Sequence, residues 1–442
     1  EAELYGALLH GASLERTNLC KAHLDGADLE KASLKGTQLS EAHLKEADLR
    51  EAALEYAHLE YAHLEHAQMN KTSVKGGFLT MAHLEEADLR EIHISKANLM
   101  YVYLQEADLR QAQIHTSVLH GARLQEARLE AASLQGCSLV EAHLEDADLR
   151  QAHLEGTNLS KAHLEHADLV EAGMEGANLT EASLAYALLV QTNLQRAILV
   201  KTHLEGATLA GAILKEAWLN EASLAGADLR EAHLEGADLQ EAHFEGVRMA
   251  EEALHQLRLV LGDFPEILPP ADIRRAYCDA ATKLDNIHLG DEQGGFVKVA
   301  DVSWAGANLA VVNWAPMKLP GDEQAAHQYQ RETSRMARER KKTIKKEHRP
   351  DVKKILQSNE NKQRADEKKQ SLINYQAAIR ANRQLATALQ AQGLNEVSTS
   401  FSYRAQRLQR TALWQQKNGV NICSQHFLLS LQGTGIDQGG AS

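Results

Sequence analysis

Histidine recurs at intervals of twenty: His23, His43, His63 and His83, then His143 and His163, with His203 and His243 further on. Glutamate follows two residues later at Glu65, Glu85, Glu145, Glu165, Glu205 and Glu245. Imidazole beside carboxylate is a zinc-binding donor set. If twenty residues bring the chain back beside itself, neighbouring imidazoles lie ~4.8 Å apart, in reach of one ion at Zn–N ~2.1 Å. A closed site also needs tetrahedral convergence and partners that orient each ring. A flat ladder offers parallel side chains instead. These histidines therefore read as a tolerated surface column, and no metal or cofactor is expected.

A second column pairs Asp48, Asp88, Asp108, Asp148 and Asp228 with Arg50, Arg90, Arg110, Arg150 and Arg230, each two residues on. Such pairs solubilise a surface, at ~0.2–1 kcal/mol each. Residues 335–349, RMARERKKTIKKEHR, carry eight Lys and Arg. Arg338, Arg340, Lys341, Lys342, Lys345 and Lys346 are the candidates there for gripping phosphates or an anionic membrane face. With no aromatics interleaved, the run reads as a solvated helix. GDEQGG at 290–295 and GTGIDQGG at 433–440 lack the GK[ST] ending of a phosphate loop. No catalytic residue is expected.

What positions these columns is a repeat of five. From Leu4 to Met249 every fifth residue is apolar, and 43 of the 50 are Leu. Two residues before each stands a small residue, Ala in 38 of the 50. On a helix each step of five turns ~140°, which would wind the leucines around the whole cylinder. In extended chain, residues two apart share a face, so Ala and Leu point inward together while the residue between them points out. The other two turn a corner. Of the 16 glycines before residue 251, 14 fall two after the central Leu, where a corner needs backbone freedom. No proline precedes Pro265, so none removes a ladder hydrogen bond.

EAHLEGADLQ at 231–240 and KAHLEHADLV at 161–170 closely resemble the pentapeptide-repeat family, and the likeness covers 1–250. It implies a right-handed quadrilateral β-helix, four units to a coil, in a mainly β protein with a smaller α-helical region behind it. About twelve coils at ~4.8 Å make a rod of roughly 60 Å. Leu24, Leu29, Leu129, Leu144, Leu149 and Leu229 then define its core. Some members of the family resemble B-DNA in shape and charge and inhibit gyrase. Duplex DNA carries a charge per ~1.7 Å, or roughly 35 over that length. Residues 1–250 hold 40 acidic and 20 basic side chains, a net −20, so the analogy falls short.

After the rod, 251–296 reads as a helical cap or insertion, with helices at 251–261 and 272–284, the second placing Ile273, Tyr277, Ala280 and Leu284 on one face. The inward pairs return at Val297/Val299, Val302/Trp304, Ala307/Leu309, Val312/Trp314 and Met317/Leu319, so 297–320 reads as one further coil. Residues 321–370 read as a charged helical linker, with a helix ending at Pro350. Residues 371–417 read as a helical hairpin joined at Gly393, with a short likeness to a tetratricopeptide hairpin. Tyr375, Phe401, Tyr403 and Trp414 are its candidate partner-binding residues, on helices too few to bury them. Residues 418–442 read as a disordered tail.

The 442 residues include only 5% aromatics, so Leu and Ala must fill the interior. Residues 251–442 hold 27 basic against 21 acidic side chains. Four scattered cysteines form no framework, which fits the cytoplasm. No apolar run approaches the ~18 residues of a membrane span. The chain opens at Glu1 inside a repeat, which predicts a missing N-terminus, and its end reads as abrupt. The leading expectation is a non-enzymatic scaffold with an unidentified protein partner, homo-oligomerisation left open and nucleic acid disfavoured. A DNA-mimicking modulator of a DNA-handling enzyme such as gyrase, and the soluble portion of a larger membrane-associated channel-like or signalling protein, are its rivals.

Overall fold

The computed structural model describes residues 2–244 and 271–417, apart from 275, 277, 280, 281, 286, 288, 292–294, 305, 306, 313, 315, 316, 318, 319, 347 and 348. In each unit the residue between the small side chain and the leucine bridges in parallel to the residue twenty later, from Glu3 with His23 to Ser223 with His243. Leu4 N–H donates to the His23 carbonyl at 2.7 Å, and His23 N–H donates to that of Ala2 at 2.8 Å. Three successive coils are regular enough to carry named strands: β1 (Ser73–Lys75), β2 (His93–Ser95) and β3 (Gln113–His115).

The corners explain the glycines. Ala7 N–H donates to Leu4 O at 3.1 Å while Gly6 takes a φ of +56°, the positive angle that a type II turn demands of its third residue. Non-glycine residues hold the same angle at the same place, as in Glu86 at +57° and Glu106 at +58°. An L-residue there costs ~1–2 kcal/mol, and the ladder holds it in place. Glu86 N–H, for example, donates to Gln105 O at 3.0 Å.

Inside, Leu24, Leu29, Leu129, Leu144, Leu149 and Leu229 are buried in one continuous core with the alanines. Threonine replaces alanine without an unpaired hydroxyl. The buried Thr72 and Thr192 donate to Leu49 O at 2.7 Å and Leu169 O at 2.8 Å. An interior this narrow accepts a polar atom only where a backbone carbonyl of the previous coil faces it.

None of the described residues in 272–284 is helical. Asp272 bridges to Asp228 and Lys283 to Asp238, both in parallel, and Ala271, Ile273, Ala276, Cys278, Thr282 and Leu284 are buried. The open edge of the preceding coil offers a row of carbonyls and amides that a helix could not pair. Thr282 repeats the threonine rule, donating to Leu234 O at 2.9 Å. The helix expected at 251–261, together with Tyr277 and Ala280, lies outside the described residues. A small antiparallel hairpin, β4 (Gly290–Asp291) and β5 (Gly295–Phe296), leads into the next coil. There Val297, Val299, Val302, Ala307, Leu309, Val312, Trp314 and Met317 are buried, and Trp304 is half-buried. Asp272 bridges to Lys298 in parallel, and a 3-10 turn (Leu309–Val311) follows.

Three helices follow: α1 (Gly321–Lys346), α2 (Pro350–Ala391) and α3 (Asn395–Lys417). The expected break near 370 is absent, because α2 runs through it for 42 residues. Its start uses Pro350, whose missing N–H would have had no helical partner. Its end is a Schellman turn, with Gly393 at φ +77° donating to Gln390 O at 3.0 Å and Leu394 N–H to Leu389 O at 3.0 Å.

The helices close the rod. Ala381, Leu385, Ala386, Leu389 and Phe401 belong to the same core as the last coil. Asp322, in the first turn of α1, accepts from Val299 N–H at 2.7 Å and Ala300 N–H at 3.0 Å, so the final coil's amides are not left open. Gln384 accepts from Asp301 N–H at 2.8 Å, and Gln392 accepts from Leu309 N–H at 2.7 Å.

Candidate functional site

The histidine column is a stack. Rings of His23 and His43 lie 4.7 Å apart, His43 and His63 5.0 Å, and His63 and His83 4.9 Å, with Tyr103 4.4 Å beyond His83. Where a glutamate stands two residues on, Nδ1 is turned to it: His63 to Glu65 at 3.1 Å, His83 to Glu85 at 3.1 Å, His143 to Glu145 at 3.0 Å. Hydrogen bonding to Glu165 raises His163 above its ordinary range, and Glu205 does the same for His203.

His63, Glu65 and His83 offer ligand atoms within 4.8 Å of one another. The rings of His63 and His83 are only 8° from parallel, however, so their in-plane lone pairs point side by side rather than at a common ion. Geometry favours stacking over chelation.

The aspartate–arginine column folds on itself. Arg50, Arg90, Arg110 and Arg150 each donate Nε–H to the preceding Asp at 2.8 Å. A hydrogen bond from Arg50 holds Asp48 below the usual carboxylate range, and Arg150 does the same for Asp148. Links between coils vary, from Arg50 to Glu30 at 3.0 Å to Arg150 to Asp168 at 3.7 Å. The described cysteines Cys20, Cys137 and Cys278 are unpaired. Burial pushes the Cys278 thiol up to about 12, so it carries no thiolate at neutral pH.

Of the expected contact residues on the helices, Tyr375 and Phe401 are buried. Tyr375 Oη meets His327 Nδ1 at 3.2 Å and donates to Gln330, so this tyrosine joins α1 to α2. Phe401 meets Trp314 edge-on at 6.2 Å, joining α3 to the last coil. A third helix supplies the burial that a lone hairpin lacks. Tyr403 alone of the three described stands exposed, at 66%, and the Trp414 side chain lies outside the described residues.

Arg340 is likewise no free anion contact. Its Nε–H donates to buried Glu360 at 2.6 Å, and its fork donates to both oxygens of Glu367 at 2.7 and 2.9 Å. Arg338, Lys341, Lys342, Lys345 and Lys346 remain exposed on α1.

Eight copies of the family model described as Pentapeptide repeats match residues 2–40, 32–76, 79–115, 117–151, 147–185, 157–196, 187–224 and 219–250. The chain belongs to the pentapeptide-repeat family. Its rod is accordingly a right-handed quadrilateral β-helix. Among solved structures it is similar to HetL, a pentapeptide repeat protein involved in heterocyst differentiation regulation from the cyanobacterium Nostoc sp. strain PCC 7120. The identity is 36%, over 47% of this chain and 90% of HetL, with a TM-score of 0.21. It is also similar to QnrB1, a plasmid-mediated fluoroquinolone resistance protein, at 16% identity over 48% of this chain and 100% of QnrB1, with a TM-score of 0.26. No curated protein matches the chain.

The repeats matched by the family end at residue 250, but the structure carries them on. ADIR at 271–274 is ADLR of 227–230 with one aliphatic exchanged, and Arg274 donates to Asp272 as Arg230 does to Asp228. That signal was present in the sequence, hidden by the prolines just before it. Among the described residues no helix is long and apolar enough to cross a membrane.

Proposed function

We propose that this pentapeptide-repeat protein is a non-enzymatic scaffold, a stiff rod that presents a basic two-helix arm to a protein partner. One observation carries the reading. α3 turns back along α2, with Ser398 bonded to Ala386 O and Leu408 and Ala412 packed in the cluster of Tyr375. The stretch 350–370 lies earlier on α2 than that cluster, and among the described residues its tertiary ion pairs go to α1 alone. The far ends of α1 and α2 therefore form a paired arm of polar, mostly exposed side chains. Residues 335–370 carry 14 Lys and Arg against 6 Asp and Glu. Helices that bury little core but are fixed to a rigid base suit recognition rather than catalysis.

A duplex mimic would need free carboxylates along all of its faces, and on one face Asp48, Asp88, Asp108, Asp148 and Asp228 are each held by the arginine two residues on. The unpaired cysteines fit a reducing compartment such as the cytoplasm.

The test is capture from a cell lysate by the full chain, beside a variant with Arg338, Lys341, Lys342, Lys345 and Lys346 changed to Gln. Arg340 is kept, because it holds Glu360 and Glu367. Proteins retained by the first and lost by the second support the arm. Equal capture by both removes the arm from the reading.

A further inference from the structure

One corner of the rod is acidic, and among the described ion pairs its carboxylates meet histidines but no Lys or Arg. Elsewhere the charged columns neutralise themselves: Lys21 reaches Glu41 at 3.3 Å, Lys201 reaches Glu221 at 3.6 Å, and each arginine of the Asp column holds its aspartate. The corner that joins the histidine face to the aspartate face is different. Nine carboxylates occupy its two columns from Glu46 to Glu165, and beyond Lys45, which sits beside Glu46 at the start, neither column contains Lys or Arg over that span. Its outermost residues, Glu86, Glu106, Glu126 and Asp146, stand exposed on four successive coils. Of these only Glu86 has a partner among the described ion pairs, His66 at 3.5 Å. In the column beside them, Glu65, Glu85, Glu145 and Glu165 face histidines with one oxygen and leave Oε2 without a hydrogen bond.

The basic arm is the complement of this corner in sign, amount and length. The acidic strip spans six coil spacings, or ~29 Å. Residues 350–369 of α2 span ~30 Å as helix. Lysines three or four apart on a helix face recur every ~5–6 Å, close to the ~4.8 Å between successive acidic corners. The arm's excess of eight positive charges meets five exposed carboxylates, Glu46, Glu86, Glu106, Glu126 and Asp146, with four half-buried glutamates beside them. Arg335, Arg338, Lys341, Lys342, Lys345 and Lys346 of α1 are exposed beside Lys353, Lys354 and Lys362 of α2. Duplex nucleic acid also matches a basic helix pair. Here the arm is tethered to a rod of net −20, which repels a polyanion and attracts the arm of another copy.

Resting on the scaffold reading above, we infer that the partner of the arm is a second copy of this chain, docked along the corner from Glu46 to Glu165. Charge–charge docking of exposed groups is screened by salt. The full chain therefore self-associates at 50 mM salt, and the association constant falls by about tenfold or more at 300 mM.

Sedimentation velocity on the full chain tests this with two sets of reversals. Glu86→Lys with Glu106→Lys and Glu126→Lys reverses the corner. Lys341→Glu with Lys342→Glu and Lys345→Glu reverses the arm. All six residues are exposed, and unchanged thermal melts confirm that both variants fold. Each variant alone should be monomeric, and an equimolar mixture should associate again, because a reversed arm fits a reversed corner. A full chain that stays monomeric at ~50 µM in 50 mM salt overturns the inference. So does self-association that neither reversal weakens, or an arm that shifts a labelled DNA duplex while no dimer forms. The scaffold reading is judged separately, by lysate capture, and survives a monomeric result if partners are retained.

Discussion

Tyr101 lies across Gly121 on the next coil, so that a Cβ built on the glycine would fall 2.6 Å from ring atom Cδ1. Gly121 also holds φ at +60°. Gly156 has a similar angle, +64°, and nothing within 4 Å. The same place in the five-residue unit is thus glycine for one reason in the second case and for two in the first. Gly156→Ala should cost ~1–2 kcal/mol, the strain of the left-handed angle alone. Gly121→Ala should cost more, because the ring must move. Tyr101→Ala in the Gly121→Ala background should then recover the difference. A double-mutant cycle by thermal or urea unfolding checks this, and additive losses would show that the ring does not matter.

Leu129→Asp should unfold much of the rod, while Arg128→Asp should not. Leu129 is buried in the leucine column, where a carboxylate has no partner and costs several kcal/mol. Arg128 is exposed and stands 3.8 Å from Asp108, so its reversal adds only like-charge repulsion of ~1 kcal/mol or less. Equal melting temperatures for the two variants would contradict the inward assignment.

Asp322 caps the last coil through the Val299 and Ala300 amides, and burial raises its pKa above the ordinary aspartate value. The sign follows from that direction. A raised folded-state pKa favours the protonated fold, so this contribution is fully present below the unfolded value of ~3.9 and is lost as pH rises through the folded one. Asp322→Asn keeps an accepting oxygen and carries no charge, so it should be close to neutral at pH 7 and remove that dependence. Asp322→Ala leaves two buried amides open and should cost ~1–3 kcal/mol each. Melts from pH 4 to 8 separate the three proteins. Equal losses for Asn and Ala would mean that the side chain does not cap.

Zinc should leave the melting temperature of the full chain unchanged. The stacked rings of His63 and His83, 8° from parallel, would have to turn out of their stack to share an ion. A gain of several degrees at modest zinc, abolished by His63→Ala, would show that they do so.

Much of the architecture was legible before any coordinates. The Ala–x–Leu spacing determines which residues face inward, because only extended chain puts residues two apart on one face. The glycines mark the corners, because a positive φ strains a side chain. The twenty-residue return sets the histidine, aspartate–arginine and acidic columns, since four units of five close one coil.

The end of the rod needed the tertiary structure. At 272–284 local spacing allowed an amphipathic helix, and the unpaired edge of the coil before it made a strand the better use of the same residues. Tyr375 and Phe401 looked exposed on a hairpin of two helices, and α1 and the last coil bury them. Arg340 belonged by sequence to a free basic run, and only the return of α2 brought Glu360 and Glu367 to it. In each case the deciding partner lies far along the chain, in a contact that no local period encodes.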